Sequence, residues 1–301
     1  MLYLYGIFVY LQLLNAVISE FTPDFNNFLV DLYTEPGRKV LERLDFGKSG
    51  SFGGKMNSLQ IINRKPVLIV HGVTNTAARF EFVRKYLKKN HFSNAEIYGT
   101  TYGEGTGAFT IFVKLQCQYV RQIRAMIQAV YVYTQSKIDI LAFSMGSPIT
   151  RKAILGGLCE DDFIGKPLTH MVETFVSVAG ANYGSSLCFV PFWVCSKRNG
   201  LHCKSKFLQE INNQTSRYEG RFSYSIYSDS DDKVGVDCCG NKCSSLPHSN
   251  DEFQLKGFDH DQAILFFSIF IEKTKKFHIL QVMEASLKLQ LNLIQQQNTT
   301  A

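Results

Sequence analysis

Beyond Lys65 the chain alternates short apolar runs with stretches of helical periodicity. Pro66-Val-Leu-Ile-Val70 is unbroken apolar sequence, which predicts a strand covered on both faces. Thr76 to Lys89 then places Phe80, Val83 and Leu87 at spacings of three and four, the signature of a helix. The alternation continues with strands over 95–101, 138–142, 171–179 and 221–227. Between them, Val120, Ile123, Ile127 and Val130 stripe a long helix over 109–134. A further helix runs to Leu155 and stops at Gly156-Gly157, a C-terminal signal. A last helix is predicted over 261–285, followed by a polar tail over about 286–301, disordered from Gln295. Upstream, Phe25, Phe28, Leu29 and Leu32 share one face of a short helix over 24–33. Gly47 to Gly54 reads as a surface loop and Gly103 to Gly107 as a strand-to-helix loop. Strands that alternate with helices need crossovers, and crossovers make them parallel. The expectation is an α/β fold. No repeat or Pro-rich linker divides residues 20–301, so one domain is expected there.

In such a sheet, ligands sit at the carboxyl ends of the strands. Ile138-Asp-Ile-Leu-Ala142 runs into Phe143-Ser144-Met145-Gly146-Ser147-Pro148. A serine on a sharp strand-to-helix turn needs small neighbours, and Ala142 and Gly146 stand two places either side of Ser144. The first small residue is Ala142 rather than the usual glycine. Other strand ends also carry capable groups. The first ends in His71-Gly72-Val73, the strand over 221–227 runs into Ser228-Asp229-Ser230-Asp231-Asp232, and Gly257-Phe258-Asp259-His260 precedes the last helix. The order Ser, Asp, His is that of an α/β-hydrolase triad.

The expected roles follow. Ser144 is the nucleophile, His260 its base, and Asp231 the acid that orients the imidazole. Asp229 and Asp232 compete with Asp231, which is preferred because Val234 three residues on can anchor the loop. His248 is the main rival of His260, and His71 is expected to hydrogen-bond behind the site. The backbone N–H groups of Met145 and Val73 are the expected oxyanion donors. An acidic cluster can also bind calcium, but no matching ligand loop surrounds this one. Phe143, Phe189, Phe192 and Trp193 are candidate substrate contacts. The stretch 187–195 reads equally as a lid or acyl-binding wall and as a buried, disulfide-tied loop.

The 301 residues are 45% hydrophobic and 19% charged, a composition that supports a sizeable core. The net charge of +6 comes from scattered residues, which fits solvated faces and not a nucleic-acid site. It leaves room for weak attraction to anionic membrane or lipid-droplet surfaces. Residues 1–19 form a short apolar leader ending in Val17-Ile-Ser19, read as a cleaved signal peptide rather than an anchor. No transmembrane segment is expected after its removal. The eight cysteines, 117, 159, 188, 195, 203, 238, 239 and 243, then read as disulfides, with the pairing open and no metal site expected. Asn213 and Asn298 head glycosylation sequons, usable if the chain is secreted.

Five stretches together resemble the class 2 lipases of the α/β-hydrolase superfamily, which include small secreted lipases of bacilli and nematodes. They are Pro-Val-Leu-Ile-Val-His-Gly at 66–72, Ile-Asp-Ile-Leu-Ala-Phe-Ser-Met-Gly-Ser-Pro at 138–148, Ser-Val-Ala-Gly-Ala-Asn-Tyr-Gly at 177–184, Tyr-Ser-Ile-Tyr-Ser-Asp-Ser-Asp-Asp-Lys-Val-Gly at 224–235, and Gly-Phe-Asp-His at 257–260. The cysteine-rich region over 188–243 is similar to the nematode branch, and alanine at the first elbow position is typical of the family. The resemblance implies an α/β-hydrolase fold of minimal type with a disulfide-rich insertion. It also implies hydrolysis of acylglycerols or related lipid esters, no cofactor, and secretion, with an endolysosomal compartment as the alternative. A monomer is expected. The long insertion over 185–220 departs from the bacillar pattern. A thioesterase and a non-catalytic lipid-binding protein are the rival functions.

Overall fold

The computed structural model describes residues 20–107, 109–189, 192–264 and 285–296. In chain order, helix α1 (Pro23–Glu42) leads through a short 3-10 turn to strand β1 (Ser51–Phe52). Then come β2 (Val67–Val70), α2 (Glu81–Lys89), β3 (Ile97–Thr100), α3 (Cys117–Thr134), β4 (Ile138–Phe143) and α4 (Gly146–Leu155). A hairpin, β5 (Leu158–Cys159) and β6 (Asp162–Phe163), precedes β7 (Val172–Val178), α5 (Lys206–Asn212) and β8 (Phe222–Ser228). A second hairpin, β9 (Asp237–Cys238) and β10 (Asn241–Lys242), leads to β11 (Asp251–Leu255) and the short helix α6 (His260–Ile264). Residues 285–295 form a final helix, α7.

Among the described residues, seven strands make the central sheet in the order β1-β3-β2-β4-β7-β8-β11. All neighbours are parallel except β1, which pairs antiparallel with β3 at the edge. The central strands are buried along their whole length because helices cover both faces. Leu68, Val70, Ile140, Ala142 and Phe175 pack on one face with residues of α1, α3 and α4. Val67, Ile69, Leu141 and Phe143 pack on the other with Val83 and Leu87 of α2 and Leu287 and Leu291 of α7. Buried Arg151 of α4 pairs with buried Glu219, donating to it at 2.9 Å and to the Ile211 carbonyl of α5 at 2.9 Å. It locks α4, the helix that follows β4, onto α5.

The predicted strands and the α/β class match the sheet; several boundaries do not. Residues 47–54 are not a surface loop. Phe52 is fully buried because Gly99 leaves room beside β3: a Cβ there would stand 2.5 Å from the Phe52 ring. The long helix begins at Cys117, not 109; Phe109, Ile111 and Phe112 continue the apolar pattern but face solvent. Helix α1 extends past residue 33 through a kink at Thr34, and Pro36 sits within its second half. The tail expected over 286–301 is helical as far as 295, because Leu287, Leu291, Leu293 and Ile294 find a sheet face to cover. The leader, the bulk of the helix expected over 261–285, and Asn298 lie outside the described residues.

Candidate active site

Ser144 stands on the turn between β4 and α4 with a left-handed backbone (φ 51°), and its N–H donates to the Val178 carbonyl at 3.0 Å. The turn is tight against the end of β2. A Cβ on Gly146 would fall 2.2 Å from the His71 carbonyl oxygen, so only glycine fits. A Cβ on Gly72 would come within 2.9 Å of the Ser144 Cβ and 3.4 Å of its Oγ. Gly72 therefore keeps the space beside the hydroxyl open. Ala142 is buried in the sheet core and needs no glycine freedom.

His260 reaches Ser144 from the start of α6. Its Nε2 lies 3.0 Å from Ser144 Oγ and its Nδ1 lies 2.7 Å from Asp231 Oδ2. These partners assign the proton to Nδ1, leaving Nε2 to accept from the serine hydroxyl. Asp231 is itself held. Its Oδ1 accepts from the N–H groups of Val234 at 2.7 Å and Lys233 at 3.0 Å. Burial pushes its carboxyl up, but the hydrogen bond and charge of His260 with the Val234 and Lys233 amides outweigh it, so it sits below the usual range. All three members are nearly covered, with Ser144 at 6%, His260 at 4% and Asp231 at 6% exposure.

The two competing acids have other duties. Asp232 accepts from the His260 backbone N–H at 2.9 Å, and Asp229 accepts from Gly257 N–H at 2.8 Å. His248 is exposed and turned to the Gln214 carbonyl at 2.9 Å. His71 is buried behind the site. Its Nδ1 donates to the Gly72 carbonyl at 2.7 Å and its Nε2 accepts from Tyr102 N–H at 3.0 Å. Burial pushes it down to about 4, against the opposing pull of the Gly72 carbonyl. A neutral imidazole thus braces the Gly72-Val73 turn.

Residues 64–267 match the sequence profile of lipase class 2. The chain belongs to the class 2 lipase family. Among solved structures, the pro-form of the Bacillus licheniformis lipase BlEst2 is similar at 13% identity and a TM-score of 0.51, covering 71% of this chain and 50% of that one. The mature form of the same lipase gives 13% identity and a TM-score of 0.49, covering 70% and 90%. Aspergillus fumigatus lipase B gives 14% identity and 0.49, covering 67% and 48%. At such identities the first of these shows a shared fold. No curated protein sequence matches the chain.

In this member of the class 2 lipase family a cavity of about 730 Å³ opens beside Ser144 and His260. Phe80, Ile111, Leu187, Phe189, Phe192 and Val194 supply much of its apolar wall, and Val73 lies on its lining. Two of the four expected substrate contacts are absent from that lining. Phe143 points into the opposite core face, fully buried with its ring 4.6 Å from that of Phe80, because alternation along β4 turns it away from the Ser144 side. Trp193 packs edge-on to Phe112 and is 62% exposed, outside the cavity. The bridge Cys188–Cys195 ties this stretch, as one reading had it, with Cys195 buried, but Leu187, Phe189, Phe192 and Trp193 are exposed, Phe189 at 83% at the cavity mouth.

The chain has four disulfides: Cys117–Cys159, Cys188–Cys195, Cys203–Cys239 and Cys238–Cys243. Adjacent Cys238 and Cys239 thus belong to different bridges. Among the described residues no cluster of three or more His, Cys, Asp or Glu is placed to hold a metal. Sequence reasoning missed the bracing by Asp232 and Asp229, whose acidic run gave no cue to which carboxylate faces which backbone amide. It also missed Ile111 and Leu201 in the cavity wall, which lie outside any recognisable motif.

Proposed function

We propose that the protein is a secreted serine hydrolase that cleaves carboxylic esters of lipids, with Ser144 as nucleophile, His260 as general base and Asp231 as the orienting acid. The observation that carries this reading is the unbroken hydrogen-bonded line Asp231–His260–Ser144 beside an apolar cavity. His260 Nε2 takes the serine proton as Oγ attacks the ester carbonyl, then returns it to the leaving alcohol. The cation formed on the imidazole is stabilised by Asp231. The oxyanion forms next to Gly72, where the N–H of Met145, at the open end of α4, and the N–H of Val73 are the donors. The acyl chain lies along Phe80, Phe189 and Phe192. Water then enters by the same base and releases the acid, regenerating Ser144. Four disulfides support an oxidising, extracellular setting, and exposed Asn213 is available for glycosylation there. Among the described residues no helix is long and apolar enough to cross a membrane.

A series of aryl esters and matching thioesters of rising acyl length, with an emulsified triacylglycerol, tests the reading. Native protein is expected to hydrolyse medium and long esters at least about 10³-fold faster than Ser144→Ala. Equal rates for the two proteins would overturn the proposal. Faster turnover of thioesters than of esters at every length would replace it with a thioesterase.

A further inference from the structure

Two loops stand at the cavity mouth and present large apolar side chains to solvent: Phe109, Ile111 and Phe112 from one, Phe192 and Trp193 from the other. Single exposed apolar residues are ordinary, but five gathered on adjoining loops are not. The loops are fastened to each other. Phe112 packs edge-on to Trp193 with centroids 6.2 Å apart, and Leu115 N–H donates to the Asn199 carbonyl at 2.8 Å. Each is also pinned to the body. Cys117–Cys159 anchors the end of the first loop, and Cys188–Cys195 and Cys203–Cys239 flank the second. These contacts join the two loops into one rim.

The charge carried by the two rim segments themselves is basic. Neither 105–138 nor 174–209 contains an Asp or Glu. Lys197, Arg198, Lys204 and Lys206 are exposed beside the aromatic rim and, among the described residues, carry no ion-pair partner. Backbone bonds from Lys206 N to the Lys197 carbonyl (2.9 Å) and from Phe207 N to the Arg198 carbonyl (3.1 Å) hold Lys197 and Arg198 beside Lys206. Lys114 Nζ stands 4.5 Å over the Trp193 ring. The carboxylate that reaches this loop is Glu160, and it takes Asn199 at 3.5 Å, not a lysine.

We propose that this rim is a docking surface for a lipid–water interface that carries anionic groups, with Phe109, Phe112 and Trp193 entering the interface and Lys197, Arg198, Lys204 and Lys206 contacting its negative charge. It deepens the lipid-hydrolase reading by naming the surface on which the site works, but its binding test does not depend on that reading. Aromatic residues favour the polar–apolar boundary of a bilayer, and each basic residue near an anionic leaflet adds to binding. A rim that continues into the cavity wall through Ile111 and Phe192 gives an acyl chain a path that never crosses water.

Trp193 is the sole tryptophan, so the rim carries its own reporter. Ser144→Ala protein, which removes turnover, is titrated with vesicles of phosphatidylcholine alone and of phosphatidylcholine with phosphatidylglycerol, following Trp193 emission. The expected result is a blue shift with anionic vesicles at least about tenfold tighter than with neutral ones, weakened by salt. Lys197→Glu with Arg198→Glu, both exposed and remote from the core, should abolish the anionic preference; Phe109→Ser with Phe112→Ser should abolish the shift on both vesicles. No shift with either vesicle, or equal affinity for both, would overturn the proposal. Native turnover of a soluble short-chain ester is measured in parallel: it reports on the triad alone, so a failed rim and a failed hydrolase give different results.

Discussion

The carbonyl oxygen of His71 lies where a side chain on Gly146 would have to stand: a Cβ there would be 2.2 Å away. The end of β2 and the first turn of α4 are therefore fixed against each other by backbone contact, with no side chain able to yield. That contact sets Ser144 over Gly72-Val73.

Gly146→Ala should push α4 away from β2. The expected cost is about 1–3 kcal/mol of stability, with a loss of kcat larger than the loss of folded protein. Urea unfolding together with kcat on a soluble ester separates the two. Ala142→Gly, which touches no such contact, should cost only about 0.5–1 kcal/mol and leave kcat near native.

Asp231→Asn should lower kcat by about 10⁴-fold, because an amide no longer holds the imidazole in the tautomer that accepts from Ser144. Asp229→Asn and Asp232→Asn keep an acceptor for the Gly257 and His260 amides and should stay within about tenfold of native. Steady-state kinetics on the three variants rank the acids directly.

These acids mark the limit of what the chain shows unaided. The end of β2 was legible because a buried parallel strand is a continuous apolar run, and those of β4 and β8 and the segment before α6 because chemistry in such sheets collects at the carboxyl ends of the strands. Strand β11 was not legible. Asp251-Glu-Phe-Gln-Leu255 is an edge strand with little burial, so it carries almost no hydrophobic signal. The apolar pattern at 109–112 extended the α3 stripe on paper, yet those residues face outward at the rim. Periodicity reports which residues are apolar, not what covers them. Phe143 was misplaced for a related reason: adjacency to Ser144 in sequence puts it on the opposite face of the sheet. The disulfide pairing had no sequence signal, since it depends on which loops the fold brings together.

Asp139 gives a pH test of stability. Burial pushes its carboxyl up to about 7, with the Thr174 hydrogen bond pulling the other way. An acid with a raised folded value leaves stability intact below its unfolded value near 3.8 and erodes it as pH rises towards 7. Asp139→Asn keeps the acceptor and removes the charge. Its gain in Tm over native should grow from pH 4 to pH 7 and level off above, as read by calorimetry. A constant difference across that range would contradict the assignment.

The Cys117–Cys159 bridge closes a loop of 42 residues between α3 and the β5–β6 hairpin. Replacing both cysteines by serine should lower stability by about 4 kcal/mol through the freed unfolded chain. Chemical denaturation of the double variant against native, under conditions that keep the other bridges intact, reads the difference.

The most direct test of the central claim is covalent labelling with a serine-reactive alkyl phosphonate, located by peptide mass spectrometry. The account predicts one adduct per chain, on the peptide containing Ser144, absent in Ser144→Ala and strongly slowed in His260→Ala. Native protein that stays unlabelled, or an adduct on another serine that persists in Ser144→Ala, would contradict it.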